Sequence, residues 1–423
     1  MTDPKKHRLS RFLRILGPGL ITGAADDDPS GIATYSQTGA QFGYGQLWTA
    51  VFLLPLMTAV QEACARIGAV TKKGIAEVVK EHYSKKILYG AVFLILIANT
   101  INIGADIGAM AAAARLVIPI PLVLITLFFT ALMLLLEVLI PYKAYAKILK
   151  WLVAVMIVYP VTVFLVHEPW GEIFRATFLP HIQFSFAFLF ILVGVAGTTI
   201  SPYMFFWQAS EEVEEERDER LVAKPVSRRF IKNMRIDTAA GMVISNFITW
   251  CIIIATATVL HGNGVTNVAS ASDAARALAP LVHTFPHAGF FAELIFAAGI
   301  VGLGLLAVPV LAGSAAYALA EAFNWHEGLY RKFKQAHGFY GVITVATLIG
   351  LAINFVGIDP IKALVVTAVL NGVVAVPLIA LIIAISSNRK IMGEYQSGML
   401  SKIFLWITFA VMAAAAVGMF VTL

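Results

Sequence analysis

Long apolar runs are the feature that most constrains what this chain can fold into. The run at residues 120–140 has about the 20 residues that an α-helix needs to cross the hydrocarbon core of a bilayer. Only 13% of the residues are charged and 59% are hydrophobic, whereas soluble domains are about a quarter charged. The sequence therefore predicts an all-α membrane protein.

The apolar runs predict about eleven transmembrane helices. They are expected at residues 15–42, 46–70, 87–115, 120–140, 144–167, 184–212, 234–262, 289–318, 338–357, 360–386 and 402–423.

Lys and Arg lie in alternate loops between these segments, and the loops on the opposite side hold almost none. Because basic residues mark the cytoplasmic side, the pattern predicts a multi-pass protein of the cell membrane with a cytoplasmic N-terminus. The basic loops are at residues 72–86, 143–150, 228–232, 331–334 and 389–390.

Several classes of function lack a basis in the sequence. The 31 basic residues exceed the 25 acidic ones, but they follow the membrane topology, so we expect no nucleic-acid partner. Cys64 and Cys251 have neither the number nor the spacing of a disulfide framework or a zinc site. No catalytic triad, phosphate-binding loop or cofactor motif is present, so we expect no enzyme, no ATP-driven pump and no cofactor.

Two of the apolar segments contain residues that a lipid-facing helix does not tolerate. Residues 17–31 read GPGLITGAADDDPSG, with three carboxylates and Pro29 in mid-membrane. Residues 194–202 of the sixth segment hold two glycines, two threonines, a serine and a proline. Both helices are predicted to break and to line a polar cavity.

Breaks five segments apart are typical of an inverted five-plus-five helix repeat with its binding site at the bilayer midplane. We expect repeat one at about residues 15–167, repeat two at about 184–386 and an extra helix at about 402–423. Together they form one transmembrane domain over residues 1–423.

The motifs at the two breaks resemble those of the NRAMP metal-ion transporters. GPG at residues 17–19 and DPSG at 28–31 resemble the family's GPG and DPGN, and GTTISPY at 197–203 resembles its GAxxMPH. The resemblance covers nearly the whole chain in segment number and order. It implies a LeuT-like fold, a metal site between the two unwound helices and alternating access. Because such a fold needs no partner chain, a monomer is expected.

The chain departs from the family's metal ligands at all but one position. Asp28 is retained, whereas Gly31 stands at the Asn position, Ser201 at the Met, Tyr203 at the His, and Thr198 at the Ala before the Met. Thioethers favour transition metals, while hydroxyl, carbonyl and carboxylate oxygens suit hard ions. The loss of Met is shared with NRAMP-related magnesium transporters. Transport of a hard divalent cation is therefore predicted, Mg²⁺ first and Mn²⁺ second.

The metal contacts are predicted to come from Asp28, Thr198 and Ser201. Further substrate-binding positions are Ala25, Asp27, Gly31 and Tyr203, and further pathway positions are Asp26 and Asp106.

Each of these positions also has a structural interpretation. Asp26 and Asp27 would alternatively face an aqueous vestibule or pair with a cation such as Arg66. Thr198 and Ser201 would instead bond to their own helix backbone.

Four further polar residues are interpreted as structural or remain ambiguous. Glu62 and Arg66, spaced i, i+4, are expected to form a structural ion pair. Asp106 is as well explained by a satisfied structural acid as by a pathway group. For Asn371 a helix–helix hydrogen bond is the more common role.

A proton relay lacks its usual groups. Asp106 resembles the family's acidic proton path, but its companion Glu position is Ala109, and the ninth segment holds no charge between Phe339 and Phe355. Tyr203 replaces the titratable His. Weak or absent proton coupling is predicted.

Two polar segments outside the membrane are interpreted as structural. The acidic run at residues 211–219 is expected to be a solvated helical extension. The loop at residues 263–288 is expected to carry Asp273 and Arg276 on a short helix that caps the external side.

Three rival functions remain open. One is a proton-coupled NRAMP importer of Mn²⁺ or Fe²⁺. Another is a transporter of a small organic or ammonium-type cation, for which Tyr203, Phe205, Phe206 and Trp207 would serve as cation–π partners. A receptor without transport is the third.

Overall fold

The computed structural model describes residues 22–23, 25–140, 154–166, 168–218, 226–282, 287–329, 331 and 333–423. Within these ranges all regular structure is helical. In chain order the helices are α1 Pro29–Phe42, α2 Thr49–Thr71, α3 Ile75–His82, α4 Lys85–Val117, α5 Leu122–Leu139, α6 Val158–Leu165, α7 Trp170–Phe178, α8 Phe186–Thr199, α9 Pro202–Asp218, α10 Arg228–Val259, α11 Ala271–Arg276, α12 Ala279–Val282, α13 Ala288–Phe323, α14 His337–Ile353, α15 Pro360–Ser386, α16 Arg389–Met392 and α17 Met399–Val421.

The described part of the chain holds 8 helices that are long and apolar enough to cross a membrane, with α8 and α9 counted as one. The 17-residue α14 is a shorter apolar helix. These elements, the broken first segment and α6 fall on the predicted segments, and the protein is a multi-pass membrane protein. Residues 15–21 and 144–153 of the first and fifth predicted segments lie outside the described residues.

The predicted break in the first segment is confirmed at Asp27 and Asp28. Helical residues precede Asp27, and α1 begins at Pro29. Asp28 has an extended backbone, with φ −66° and ψ 172°, and caps α1 by accepting a hydrogen bond from the Gly31 amide. Pro29 suits the first helical position because its missing N–H has no partner to lose there.

The sixth segment breaks in the same manner. Helix α8 ends at Thr199, residues 200–201 are not helical, and α9 begins at Pro202. Gly197 lets α8 approach α15 closely, because a Cβ at this position would overlap the carbonyl oxygen of Ala368. The rigid helix α15 therefore holds one side of the break in place.

Helix α1 lies at the centre of the molecule. It packs against α4, α8, α10, α13 and α15. Helix α4 in turn packs against α13, α14 and α15. The break before Pro29 is thus surrounded by helices, and its polar groups face protein.

The acidic run after the sixth segment is helical as far as Asp218, as expected, but the prediction that it is solvated is wrong. Glu211, Glu212 and Glu214 are all buried. The Glu214 carboxylate accepts hydrogen bonds from the Tyr317 hydroxyl and, at 2.8 Å, from the Leu329 amide. Tertiary partners satisfy the Glu214 carboxylate, and such partners are not visible in a local charge pattern.

The predicted short helix with Asp273 and Arg276 and the predicted Glu62–Arg66 ion pair are both confirmed. Asp273 and Arg276 lie on α11 with 3.5 Å between their charged atoms. Glu62 contacts the Arg66 guanidinium at 2.9 Å and also that of Arg235 at 2.8 Å.

The remaining donors of Arg66 bind the segment before α17. They reach the Tyr395 carbonyl oxygen at 2.6 Å and the Ser397 hydroxyl at 3.0 Å. Because Glu62 already pairs with Arg66, the alternative that Arg66 neutralises Asp26 or Asp27 is wrong.

Candidate cation site

The Asp28 carboxylate is held by four neutral donors. Its Oδ1 accepts hydrogen bonds from the Ser30 hydroxyl at 2.6 Å and the Gly31 amide at 2.8 Å. Its Oδ2 lies 3.3 Å from the Asn102 amide nitrogen and 3.3 Å from the Tyr203 hydroxyl. The carboxylate is thus fixed at the break, with donors from α1, α4 and α9.

The two breaks are in direct contact. The Tyr203 hydroxyl donates to the Ala25 carbonyl oxygen at 2.9 Å, and the Ser30 and Thr198 hydroxyl oxygens lie 3.4 Å apart. A Cβ at Gly31 would lie 3.2 Å from the Thr198 hydroxyl oxygen, so glycine here lets α1 approach α8. Five of the predicted positions therefore meet: Ala25, Asp28, Gly31, Thr198 and Tyr203.

Ser201 lies at the break but turns its hydroxyl back onto α8. It donates to the Gly197 carbonyl oxygen at 3.0 Å and to that of Thr198 at 2.6 Å. This is the alternative in which the hydroxyl bonds to its own helix backbone. The Ser201 oxygen can still accept a cation through its lone pairs. Thr198 differs, since its hydroxyl faces Ser30 across the site.

Asp26 and Asp27 turn away from Asp28 towards α10. The Ser245 hydroxyl lies 2.7 Å from Asp26 Oδ2 and 3.2 Å from Asp27 Oδ1. Both carboxylates are buried, at 0% and 1% exposure, so in this conformation neither faces an aqueous vestibule. They form a second polar cluster beside the Asp28 site.

Helix α4 contributes residues that sequence reasoning missed or left ambiguous. Asn102 reaches Asp28 although it was not predicted as a site residue. Asp106 lies four residues further on, fully buried, and neither carboxylate oxygen has a hydrogen-bond partner among the described residues. The interpretation of Asp106 as a satisfied structural acid is therefore not supported there. The i, i+4 spacing of the two residues was the available signal.

Two other residues of the site lacked a usable sequence signal. Ser30 lies inside the DPSG motif but was not predicted as a site residue. Ser245 is one of many hydroxyls in an apolar helix, and only its packing shows its role.

The side chain of Asn371 is buried without a hydrogen-bond partner in the described structure, so the expected helix–helix hydrogen bond is not seen there.

The negative charge of the buried carboxylates is not balanced by cationic side chains of the described residues. Among the described residues, no Lys, Arg or His forms an ion pair with Asp26, Asp27, Asp28 or Asp106. Isolated carboxylates in a low-dielectric interior are costly unless a proton or a cation neutralises them. Helix α8 points its C-terminal end at the sixth-segment break, and the partial negative charge of such an end favours a cation.

Comparison with known proteins gives the family of this chain. The model of the Nramp family, described as natural resistance-associated macrophage protein-like, matches residues 19–422. The chain belongs to the Nramp family. Nramp family members are transporters, which confirms that the chain is not an enzyme. A curated Nramp relative is the divalent metal cation transporter MntH of Klebsiella pneumoniae strain 342. It is 26% identical over 410 residues, which are 95% of this chain and 92% of the relative.

Solved structures confirm the LeuT-like fold of this Nramp chain. The manganese transporter of Eremococcus coleocola, in complex with an aromatic bis-isothiourea compound, aligns with a TM-score of 0.76 at 16% identity, over 98% of this chain and 87% of that one. MhsT in complex with L-phenylalanine aligns with a TM-score of 0.62 at 11% identity, over 96% of this chain and 98% of that one. At these identities the likeness shows the fold alone.

Proposed function

We propose that this chain is a secondary transporter or facilitator of a hard divalent cation, Mg²⁺ first and Mn²⁺ second. The observation that supports this most is the buried Asp28 carboxylate, which lies at the contact of two broken helices and has no cationic side chain beside it in the described structure. A divalent cation would supply the missing charge.

The groups around Asp28 favour a hard ion. Its hydrogen-bonding neighbours offer hydroxyl, amide and backbone groups and no sulfur. Mg²⁺ and Mn²⁺ prefer oxygen ligands, and Mg²⁺ keeps several waters because it dehydrates reluctantly. Asp28 and Thr198 are the proposed contacts, with the Ala25 carbonyl and the Ser201 oxygen completing the site.

Burial of the site supports alternating access. Asp28, Thr198, Ser201 and Tyr203 are fully buried, so a cation reaches them only after helices move. The non-helical residues 27–28 and 200–201 are the natural hinges, since they carry no helical hydrogen-bond ladder.

The topology and repeat boundaries are part of the proposal. The N-terminus is placed in the cytoplasm, from the basic loops. The repeats comprise residues 15–167 and 184–386, with an extra helix over 402–423, and the working unit is a monomer.

Proteoliposome uptake of Mg²⁺, Mn²⁺ and methylammonium tests the function. Wild type should take up both metals and no amine, and millimolar Mg²⁺ should suppress Mn²⁺ uptake. The Asp28→Ala variant should take up neither metal. Uptake of methylammonium alone would refute the metal proposal and favour the organic-cation alternative. Loss of a signalling output in Asp28→Ala, with flux unchanged, would favour a receptor.

Coupling to protons is proposed to be weak or absent, because Tyr203 and Ala109 stand where a relay would need titratable groups. Lumenal pH recorded during metal uptake tests this. A pH that stays constant agrees with the proposal, whereas acidification in proportion to the metal carried would contradict it.

The second candidate is proton-coupled import of Mn²⁺ or Fe²⁺. The Eremococcus relative is named a manganese transporter, which favours Mn²⁺ as the cation but does not bear on the protons. Mn²⁺ uptake that is insensitive to millimolar Mg²⁺ and acidifies the lumen would support it.

A further inference from the structure

Three polar residues on the central turns of helix α4 are completely buried. Asn99, Asn102 and Asp106 are each 0% exposed. Polar groups at this depth in a membrane helix are expensive unless they bind something. Each of the three can therefore be examined for its partner.

Asn99 has a structural partner. Its amide nitrogen donates to the Leu311 carbonyl oxygen of α13 at 2.9 Å. This bond ties α4 to a neighbouring helix and does not involve Asp28.

Asn99 and Asn102 each have a partner for the amide nitrogen and, among the described residues, none for the amide oxygen. They differ in that partner, because Asn102 faces Asp28. Its amide nitrogen lies 3.3 Å from Asp28 Oδ2, while its amide oxygen is buried and has no hydrogen-bond partner among the described residues. Both atoms are bonded to one carbon, so the free oxygen lies beside the Asp28 carboxylate. An oxygen that is buried, unbonded and next to a carboxylate is suited to a cation.

Asp106 extends the same face of α4 by one turn, since residues four apart are neighbours on a helix. Both of its oxygens are buried without a hydrogen-bond partner in the described structure. Two carboxylates would balance the charge of a divalent cation, and the amide oxygen would add a neutral ligand.

We infer that Asn102 is a further ligand of the carried cation, presenting its amide oxygen from α4, with the Asp106 carboxylate as the second negative charge. This inference rests on the proposed function and adds α4 to the two broken segments that form the same site. Asn102 is thereby a determinant of which cation binds, because an amide oxygen favours hard ions.

Uptake kinetics in proteoliposomes test the inference with full-length variants. Asn102→Ala should raise the KM for Mg²⁺ by about ten- to a hundredfold, with kcat little changed. Asn102→Asp keeps an oxygen at the position and should retain a KM close to wild type. The matched control is Asn99→Ala, since Asn99 is the same residue type on the same helix and equally buried. Its KM should stay at the wild-type value.

A second variant with a gain of function tests the inference if Asn102→Ala does not fold. Asn102→Met places a thioether beside Asp28 and should raise Cd²⁺ uptake relative to Mg²⁺ by at least about tenfold, since sulfur prefers soft metals.

The inference is overturned by an unchanged KM in Asn102→Ala, or by an unchanged Cd²⁺ preference in Asn102→Met. It is also overturned if Asn102→Asp binds as weakly as the alanine variant, since Asn102 would then act only as a donor to Asp28. If wild type itself takes up no divalent cation, the proposed function fails and this inference with it. Wild-type uptake with indifferent Asn102 variants contradicts this inference alone.

Discussion

Two buried carboxylates in this molecule have opposite electrostatic surroundings. Glu62 on α2 lies against two guanidinium groups, those of Arg66 and Arg235. Asp28 at the first break lies among four neutral donors, and no cationic side chain pairs with it in the described structure. Both are acids inside the helical bundle, but only Glu62 has its charge balanced by the protein.

The difference separates a structural acid from a functional one. The Glu62 group joins α2, α10 and the segment before α17 into one charged network. Asp28 is equally well fixed in position, but no cationic side chain of the described residues balances its charge. A carboxylate that is positioned by dipoles and lacks a counter-charge is prepared for a cation that arrives from outside.

The largest expected effect is on transport in Asp28→Asn. Removing one member of a buried charge pair costs about 2–5 kcal/mol, so metal uptake should fall by at least about thirtyfold. Asp273→Asn on α11 is the control, because Asp273 pairs with Arg276 away from the site. Near-normal uptake by Asp28→Asn would remove the distinction between the two acids.

Arg66→Ala should affect stability instead. Breaking a buried ion pair costs about 3–5 kcal/mol, so thermal unfolding in detergent should shift strongly downward. The protein that remains folded should keep the wild-type KM for Mg²⁺. A large change in KM at unchanged stability would place the Glu62 network in the transport machinery.

A smaller effect is expected from Tyr203→Phe. The Tyr203 hydroxyl bonds to the Ala25 carbonyl oxygen and lies near Asp28. Loss of one hydrogen bond, worth about 0.5–1.5 kcal/mol, should raise KM by about two- to twelvefold. Tyr340→Phe is the matched control, since its hydroxyl binds the Arg331 carbonyl oxygen outside the site. Equal effects of the two variants would contradict the assignment of Tyr203.

The smallest effects distinguish the two hydroxyls of the sixth-segment break. Thr198→Val removes a hydroxyl that faces Ser30, so KM should rise by about threefold. Ser201→Ala removes a hydroxyl bonded to its own helix, and KM should rise by less than about twofold. The reverse order in the measured KM values would show that Ser201 is the better ligand.

The helix positions and both breaks could be predicted from the sequence because their causes are local. Apolar length determines a membrane helix, while Pro29, Pro202 and the buried carboxylates interrupt it within a few residues. The contact of the two breaks followed from their spacing in a repeat. The Glu62–Arg66 pair was predictable for the same reason, since both residues are on one helix face.

The other side of the site depends on packing, which a single sequence does not reveal. Asn102 contacts Asp28 only because α4 turns that face towards α1. Asp26 and Asp27 lie on Ser245 because α10 passes there. The burial of Glu214 was missed for this reason too, since its partners Tyr317 and Leu329 come from distant segments.

Calorimetric titration of purified protein with Mg²⁺ tests most directly whether Asp28 is the charge reserved for the cation. Wild type and Asp273→Asn should both give a saturable binding heat, and Asp28→Asn should give none. Equal binding by wild type and Asp28→Asn would contradict the account.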